Sequence, residues 1–164
     1  LVLGNKLKKI DGIYSLKNLR YFGVHEKRAG IDFSLLPEIE KMVWHHTKTD
    51  KNLESLKKVN SFDLWHYNPK HKSYEGLALP SSLENLDVNW ANPSSLKGIQ
   101  ALPQLKEIQF HYRKNLSSLK WLNEIAPNLE KIVITRCKSL VDTSELSELQ
   151  KIKYAYINNQ RVIS

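Results

Sequence analysis

Five of the six histidines and two of the four tryptophans fall just after short apolar-x-apolar triplets, which sets them apart from residues scattered over a surface. Their types permit three kinds of chemistry. Trp65, Trp90 and Tyr112, with His45, His66, His111 and Arg136 beside them, belong to the residue types that anchor protein interfaces, because they bury much area at modest entropic cost. A row of Glu26, His46 and His66 has the composition of a zinc or iron site, although ligands in a straight row on a sheet do not converge naturally on one ion. Arg113, Lys131, Arg136, Lys151 and Lys153 could follow a nucleic-acid backbone with stacking aromatics nearby, opposed by the negative charge of Asp63, Asp87 and Glu107. Catalysis has little support. Cys137 follows Arg136, but its position is an interior one, where a thiol behaves as a small apolar group. No G-x-x-x-x-G-K, H-E-x-x-H or nucleophile-elbow pattern occurs.

The triplets that would position these residues recur along the whole chain. Their first members are Leu1, Phe22, Met42, Phe62, Leu86, Ile108, Ile132 and Ile152, at gaps of 20 to 24 residues, and the partners two positions on are Leu3, Val24, Trp44, Leu64, Val88, Phe110, Ile134 and Tyr154. Three residues before each triplet from the second onward stands another apolar residue: Leu19, Ile39, Val59, Leu83, Leu105, Leu129 and Leu149. Alternation places both triplet members on one face of a short strand and the middle residue on the other. The middle column reads Val2, Gly23, Val43, Asp63, Asp87, Gln109, Val133, Lys153. The next two columns are Gly4, His25, His45, Trp65, Asn89, His111, Thr135, Ala155 and Asn5, Glu26, His46, His66, Trp90, Tyr112, Arg136, Tyr156.

The period and the stretches ALPSSLENLDVNWANPSSL (Ala78 to Leu96) and PNLEKIVITRCKSL (Pro127 to Leu140) resemble the leucine-rich repeat family over nearly the entire chain. Cys137 stands where that family commonly carries a buried Asn, Cys or Thr, and the first stretch looks like the short LP subtype of bacterial repeat proteins. LPEIEKMVW and LPQLKEIQF keep the proline, whereas the unit around Phe62 does not, so the array is degenerate. The resemblance implies an α/β fold: a right-handed solenoid of about eight coils, with a curved parallel sheet on the concave side and short helices and irregular segments on the convex side. Protein recognition is the function it implies by default. Some LP-subtype proteins append a ubiquitin-ligase domain; this chain ends before one could begin, so that activity is not carried over.

Among the return segments, Asp50, Leu53, Leu56 and Val59 have cap-then-apolar helical spacing, and Ser118 to Ala126 reads as a helix bracketed by Asn115 and Pro127. Tyr67 to Ala78 reads as a solvated loop with a basic tip at Lys70, His71 and Lys72. The closing INNQRVIS carries no obvious cap, so one end of the array is expected to need a capping segment or a partner. The 164 residues and 41% hydrophobic content fit one domain over 1–164, and no stretch is apolar enough to span a bilayer. The net charge of +8 could favour nucleic acid, an anionic membrane or an acidic protein partner, and speaks to association rather than to fold. A lone cysteine suits a reducing compartment, which favours the cytoplasm, with a secreted effector as the alternative; no charged leader opens the chain.

Together these readings describe a single-domain, non-enzymatic module without a cofactor that binds a protein partner. The contact residues are expected to be Trp65, Trp90, Tyr112, His45, His66, His111, Asp63, Asp87 and Arg136. Nucleic-acid binding by the basic C-terminal end and metal binding at the His row are the alternatives.

Overall fold

A computed structural model describes residues 1–3, 8–25 and 27–163. Among them, the chain forms strands β1 (Val2–Leu3), β2 (Tyr21–Val24), β3 (Lys41–His45), β4 (Ser61–Trp65), β5 (Asn85–Asn89), β6 (Glu107–His111), β7 (Lys131–Thr135), β8 (Tyr154–Ile157) and β9 (Gln160–Ile163). All belong to one open sheet whose spatial order is the sequence order. Pairing is parallel from β1 through β8, and β9 returns antiparallel along β8. Each parallel step therefore requires a return segment, and these are mostly irregular. The one α-helix among the described residues, α1 (Leu122–Ile125), is a single turn, and short 3-10 turns occur at Asp11–Ser15, Phe33–Leu35, Leu53–Ser55 and Ser144–Glu148. No described helix is long and apolar enough to cross a membrane.

The register follows the triplets from β2 to β7. Phe22, Met42, Phe62, Leu86, Ile108 and Ile132 align strand to strand, as do Val24, Trp44, Leu64, Val88, Phe110 and Ile134. These two rows are buried in one continuous core with Ile39, Val59, Leu83, Leu105 and Leu129 from the turns before the strands. The opposite face is half-buried along the middle column.

The last unit departs from the triplet reading. Ile132 pairs with Ala155, not Ile152, and Ile134 with Ile157, so β8 starts three residues later than the pattern places it. Apolar alternation fits either register. The deciding feature lies downstream: Asn158 (φ 44°) and Asn159 (φ 77°) are both left-handed, the two-residue hairpin turn that suits right-twisted strands, and it carries the chain back as β9. Within the closing INNQRVIS, Gln160–Ile163 is thus a hairpin strand along β8 and not an uncapped polar tail. Asn158 further clasps the preceding unit, accepting from the Cys137 N–H (3.0 Å) and donating to the Cys137 carbonyl (2.9 Å).

The two expected helices shrink for local reasons. Asp50 is not a helix cap; its carboxylate takes a bidentate pair with Arg28 (2.6 Å to each nitrogen), the Ile31 N–H (2.9 Å) and the Trp44 indole N–H (2.7 Å). With both side chains almost wholly buried, at 0% and 3% exposed, breaking this pair by removing one partner costs about 3–5 kcal/mol. Asn52 then turns left-handed, so only Leu53–Ser55 coils. Trp121, also left-handed at φ 73°, delays the other helix until Leu122.

Candidate functional site

Where β4, β5, β6 and β7 end, the next residue adopts the left-handed conformation: His66 (φ 55°), Trp90 (φ 53°), Tyr112 (φ 55°) and Arg136 (φ 55°). Each such residue costs about 1 kcal/mol or more unless it is glycine or asparagine, yet four successive units accept it. The main-chain N–H still continues the ladder, with His66, Trp90 and Tyr112 donating to the Asn89, His111 and Thr135 carbonyls at 3.0, 3.1 and 3.0 Å. The backbone turn thus lifts these side chains beside the strand ends and leaves the pairing intact.

Strand spacing then stacks them. Trp90 and Tyr112 lie face to face, with centroids 4.4 Å apart and planes 5° from parallel, and the Arg136 guanidinium covers the far side of Tyr112 at 5.3 Å. On the other side, His66 approaches Trp90 at 6.4 Å. His66 also joins the adjoining column, 5.4 Å from His45 and 6.0 Å from Trp65. In that column, His25, His45 and Trp65 stack at 4.6 and 5.7 Å. The outcome is one band of rings from His25 to Arg136. Trp90 and Tyr112 are exposed at 43% and 37%, and His66 and Arg136 on either side of them are exposed as well. Because neighbours cover much of the ring faces, the band offers mainly edges and polar tips to a partner.

Beside the band, the middle column sets Asp63 directly opposite Asp87, with Gln109 next. Burial, then the charge of Asp87, pushes Asp63 up to about 6; burial and Glu107 push Asp87 up to about 6 against a hydrogen bond from Asn89 (2.9 Å). Among the described residues, neither has Lys or Arg within ion-pair distance. His111 sits 3.7 Å from Asp87, but burial lowers its pKa, so at neutral pH it supplies no compensating charge. Its ring instead bonds Thr135 Oγ1 (2.6 Å) and Gln109 (3.1 Å). At pH 7 the center of this face is therefore anionic and flanked by aromatic edges.

The expected contact residues thus lie on one face, with Asp63, Asp87 and His111 in the strands and Arg136 at the far end of the band. The basic end does not assemble. Arg113 is wholly buried, donating to the Ala91 and Pro93 carbonyls (3.0 and 2.8 Å) between the Tyr74 and Phe110 rings, so it cannot touch a phosphate backbone. Lys131 and Lys153 pair with Glu107 (2.8 Å) and Glu130 (2.6 Å), and Lys151 donates to Asn128 (2.7 Å). Tyr156, not Lys153, completes the middle column next to Val133. Of the proposed metal row, Glu26 lies outside the described residues, His46 packs edge-on against Tyr67 and Trp44, and His66 belongs to the band. No group of three His, Cys, Asp or Glu side chains among the described residues is arranged to hold a metal. Cys137 is buried, and burial pushes its thiol pKa up, so the sulfur stays protonated.

The reading from periodicity also missed a polar triad in the loop after β4. Ser73 donates to Glu75 (3.1 Å), and its oxygen lies 2.9 Å from His71 Nδ1. The hydroxyl stands between imidazole and carboxylate, so the acid does not orient the base as in a nucleophile–base–acid chain. No protein-family model matches this chain, and comparison with curated proteins finds no significant relative.

Proposed function

We propose that this chain is a non-catalytic protein-binding module of the leucine-rich repeat type, a right-handed solenoid whose open sheet face is concave and receives a protein partner. The observation that carries this reading is the unbroken band from His25 to Arg136 running beside the uncompensated Asp63–Asp87 pair. Such a face matches a partner segment with an apolar or aromatic anchor against Trp90 and Tyr112 and a Lys or Arg over the carboxylates. The solenoid reading is supported by sequential parallel strands at near-constant spacing, and its handedness by the general rule for parallel crossovers. The nucleic-acid alternative is weakened by the stacking of Trp90 on Tyr112, which leaves little ring face for a base, and by the burial of Arg113.

Selection from a displayed library of random peptides tests the reading. The protein is expected to enrich peptides carrying Arg or Lys beside an aromatic or branched apolar residue. Asp87→Asn and Trp90→Asn are each expected to weaken capture of those peptides about tenfold or more. Peptides held equally well by both variants, or an enriched pool without basic residues, would remove the face from consideration.

A further inference from the structure

Outside that face, the loop after β4 builds something the solvated-loop reading does not anticipate. Tyr67 and Tyr74 are buried and stacked, 5.5 Å apart and 8° from parallel. The loop backbone is tied to the following return segment at four points: Tyr74 N–H to the Lys97 carbonyl (2.8 Å), Ser94 N–H to Lys72 (3.0 Å), Asn92 N–H to Tyr67 (3.1 Å) and the Asn92 amide to Pro69 (3.3 Å). Gly98, at φ 92°, permits this seating, since a Cβ there would overlap the main chain of Tyr74 and Glu75. The loop is a fixed wall.

The opposing wall is the turn after β3. His46 bridges the two walls, with its ring edge-on to Trp44 (5.3 Å) and to Tyr67 (4.9 Å). Between the walls lies a cleft of about 640 Å³ that includes His46, Lys48, His66, Lys70, His71 and Glu75 in its lining. That size suits a small molecule. Its charge is one-sided. Glu75 is engaged by Lys97 at 3.1 Å and by the Ser73 hydroxyl, whereas among the described residues Lys48 and Lys70 have no carboxylate within ion-pair distance. The Ser73 hydroxyl and N–H both lie at His71 Nδ1 (2.9 and 3.3 Å), which holds the imidazole against the loop. The lining thus combines two lysines without an ion pair, three imidazoles and one carboxylate already held by Lys97.

We propose that this cleft binds a small molecule through a phosphate monoester group. Lys48 and Lys70 are exposed and, among the described residues, carry no ion pair, so both are free to meet an anion. A tetrahedral dianion with three acceptor oxygens can satisfy donors arriving from both walls, whereas a planar carboxylate is best met by a guanidinium fork, which the lining lacks. Free phosphate shares this chemistry, and the attached group of an ester would occupy the remaining volume.

Amide-resolved NMR titration tests the site with three probes: inorganic phosphate, glycerol 3-phosphate and acetate. Glycerol 3-phosphate is expected to move the signals of the 46–48 and 70–73 segments with a Kd at or below about 1 mM, more tightly than inorganic phosphate, and acetate is expected to leave them in place. The double variant Lys48→Ala/Lys70→Ala, which changes only side chains without a partner, is expected to raise that Kd by about tenfold with an unchanged melting temperature. Asp87→Asn, at a residue that bonds Asn89 and lies outside the cleft lining, is expected to bind the phosphate ester like the parent, so this site stands or falls apart from the sheet face. No shift at 10-fold higher concentration, equal response to acetate, or an unchanged Kd in the double variant would each overturn the proposal; equal binding of both phosphates would overturn its small-molecule part.

Discussion

At the residue scale, Asp63 and Asp87 are where fold and function pull apart. Two carboxylates facing each other across adjacent strands lose hydration without gaining a cation, and stability alone would replace them with neutral side chains. The folded Asp87 carboxyl holds its proton up to about 6, while the unfolded one releases it near 3.8. Between those values the folded state binds more protons, so stability falls as the pH rises across that window. Asp87→Asn removes the Asp87 share of this dependence and leaves that part of the Asp63 share that burial causes. It is expected to raise stability by on the order of 1–2 kcal/mol at pH 7.5, allowing for screening at its 28% exposed side chain, and by almost nothing at pH 4. Urea unfolding at the two pH values measures both numbers; a loss of stability at pH 7.5 would mean that the hydrogen bond from Asn89 outweighs the cost of burying the charge. The acidic column itself was readable from alternation within the triplets. Its desolvation was not, because burial depends on rings contributed by neighbouring units.

At the element scale, strands and turns differed in how far the sequence specified them. Triplet spacing located β2 through β7 because burying one face enforces a two-residue period, and a shift by one residue would expose the whole row. It misplaced β8, since Ile152/Tyr154 and Ala155/Ile157 satisfy the same alternation and only the Asn158-Asn159 turn separates them. Return segments were less legible. Asp50 has a helix-cap side chain, but its partner Arg28 comes from the preceding unit, beyond the reach of local propensity. The phosphate cleft was hidden for the same reason: its walls meet only through Tyr67, His46 and the seating at Gly98. Strand ends provide a sharp test of purpose. Trp90→Asn relieves roughly 1 kcal/mol of left-handed strain and forfeits a ring stack worth about 0.5–1.5 kcal/mol. The two nearly cancel, so the melting temperature is expected to shift by only a few degrees in either direction, while capture of selected peptides falls about tenfold. A cooperative loss of structure in the variant, seen by calorimetry, would assign Trp90 to the scaffold.

At the scale of the molecule, the chain is close to one-dimensional. Substantial contacts between strands run only to the next strand in sequence, and those between return turns likewise join consecutive units. Long-range cohesion is therefore a relay of neighbouring interfaces, and ion pairs such as Glu38–Lys58, Glu84–Lys106 and Glu130–Lys153 add only weak exposed links along one edge. Leu86 lies at the middle of that relay, 1% exposed, in line with Phe62 on one side and Ile108 on the other. Shortening it to alanine removes apolar contacts and leaves a cavity, at a cost of about 2–5 kcal/mol. In a compact domain with crossing contacts that loss would spread over every amide. Here it is expected to concentrate: hydrogen exchange of Leu86→Ala should accelerate most in β4, β5 and β6, with β2 and β8 keeping a larger share of their protection. The same defect would uncouple the two flanks of the ring band, because Trp65 and Trp90 stand at the ends of β4 and β5. Protection falling by one common factor in all strands would show that the sheet unfolds as a single cooperative body, and that the face between Asp63 and Arg136 is held rigid by the whole array and not by its nearest repeats.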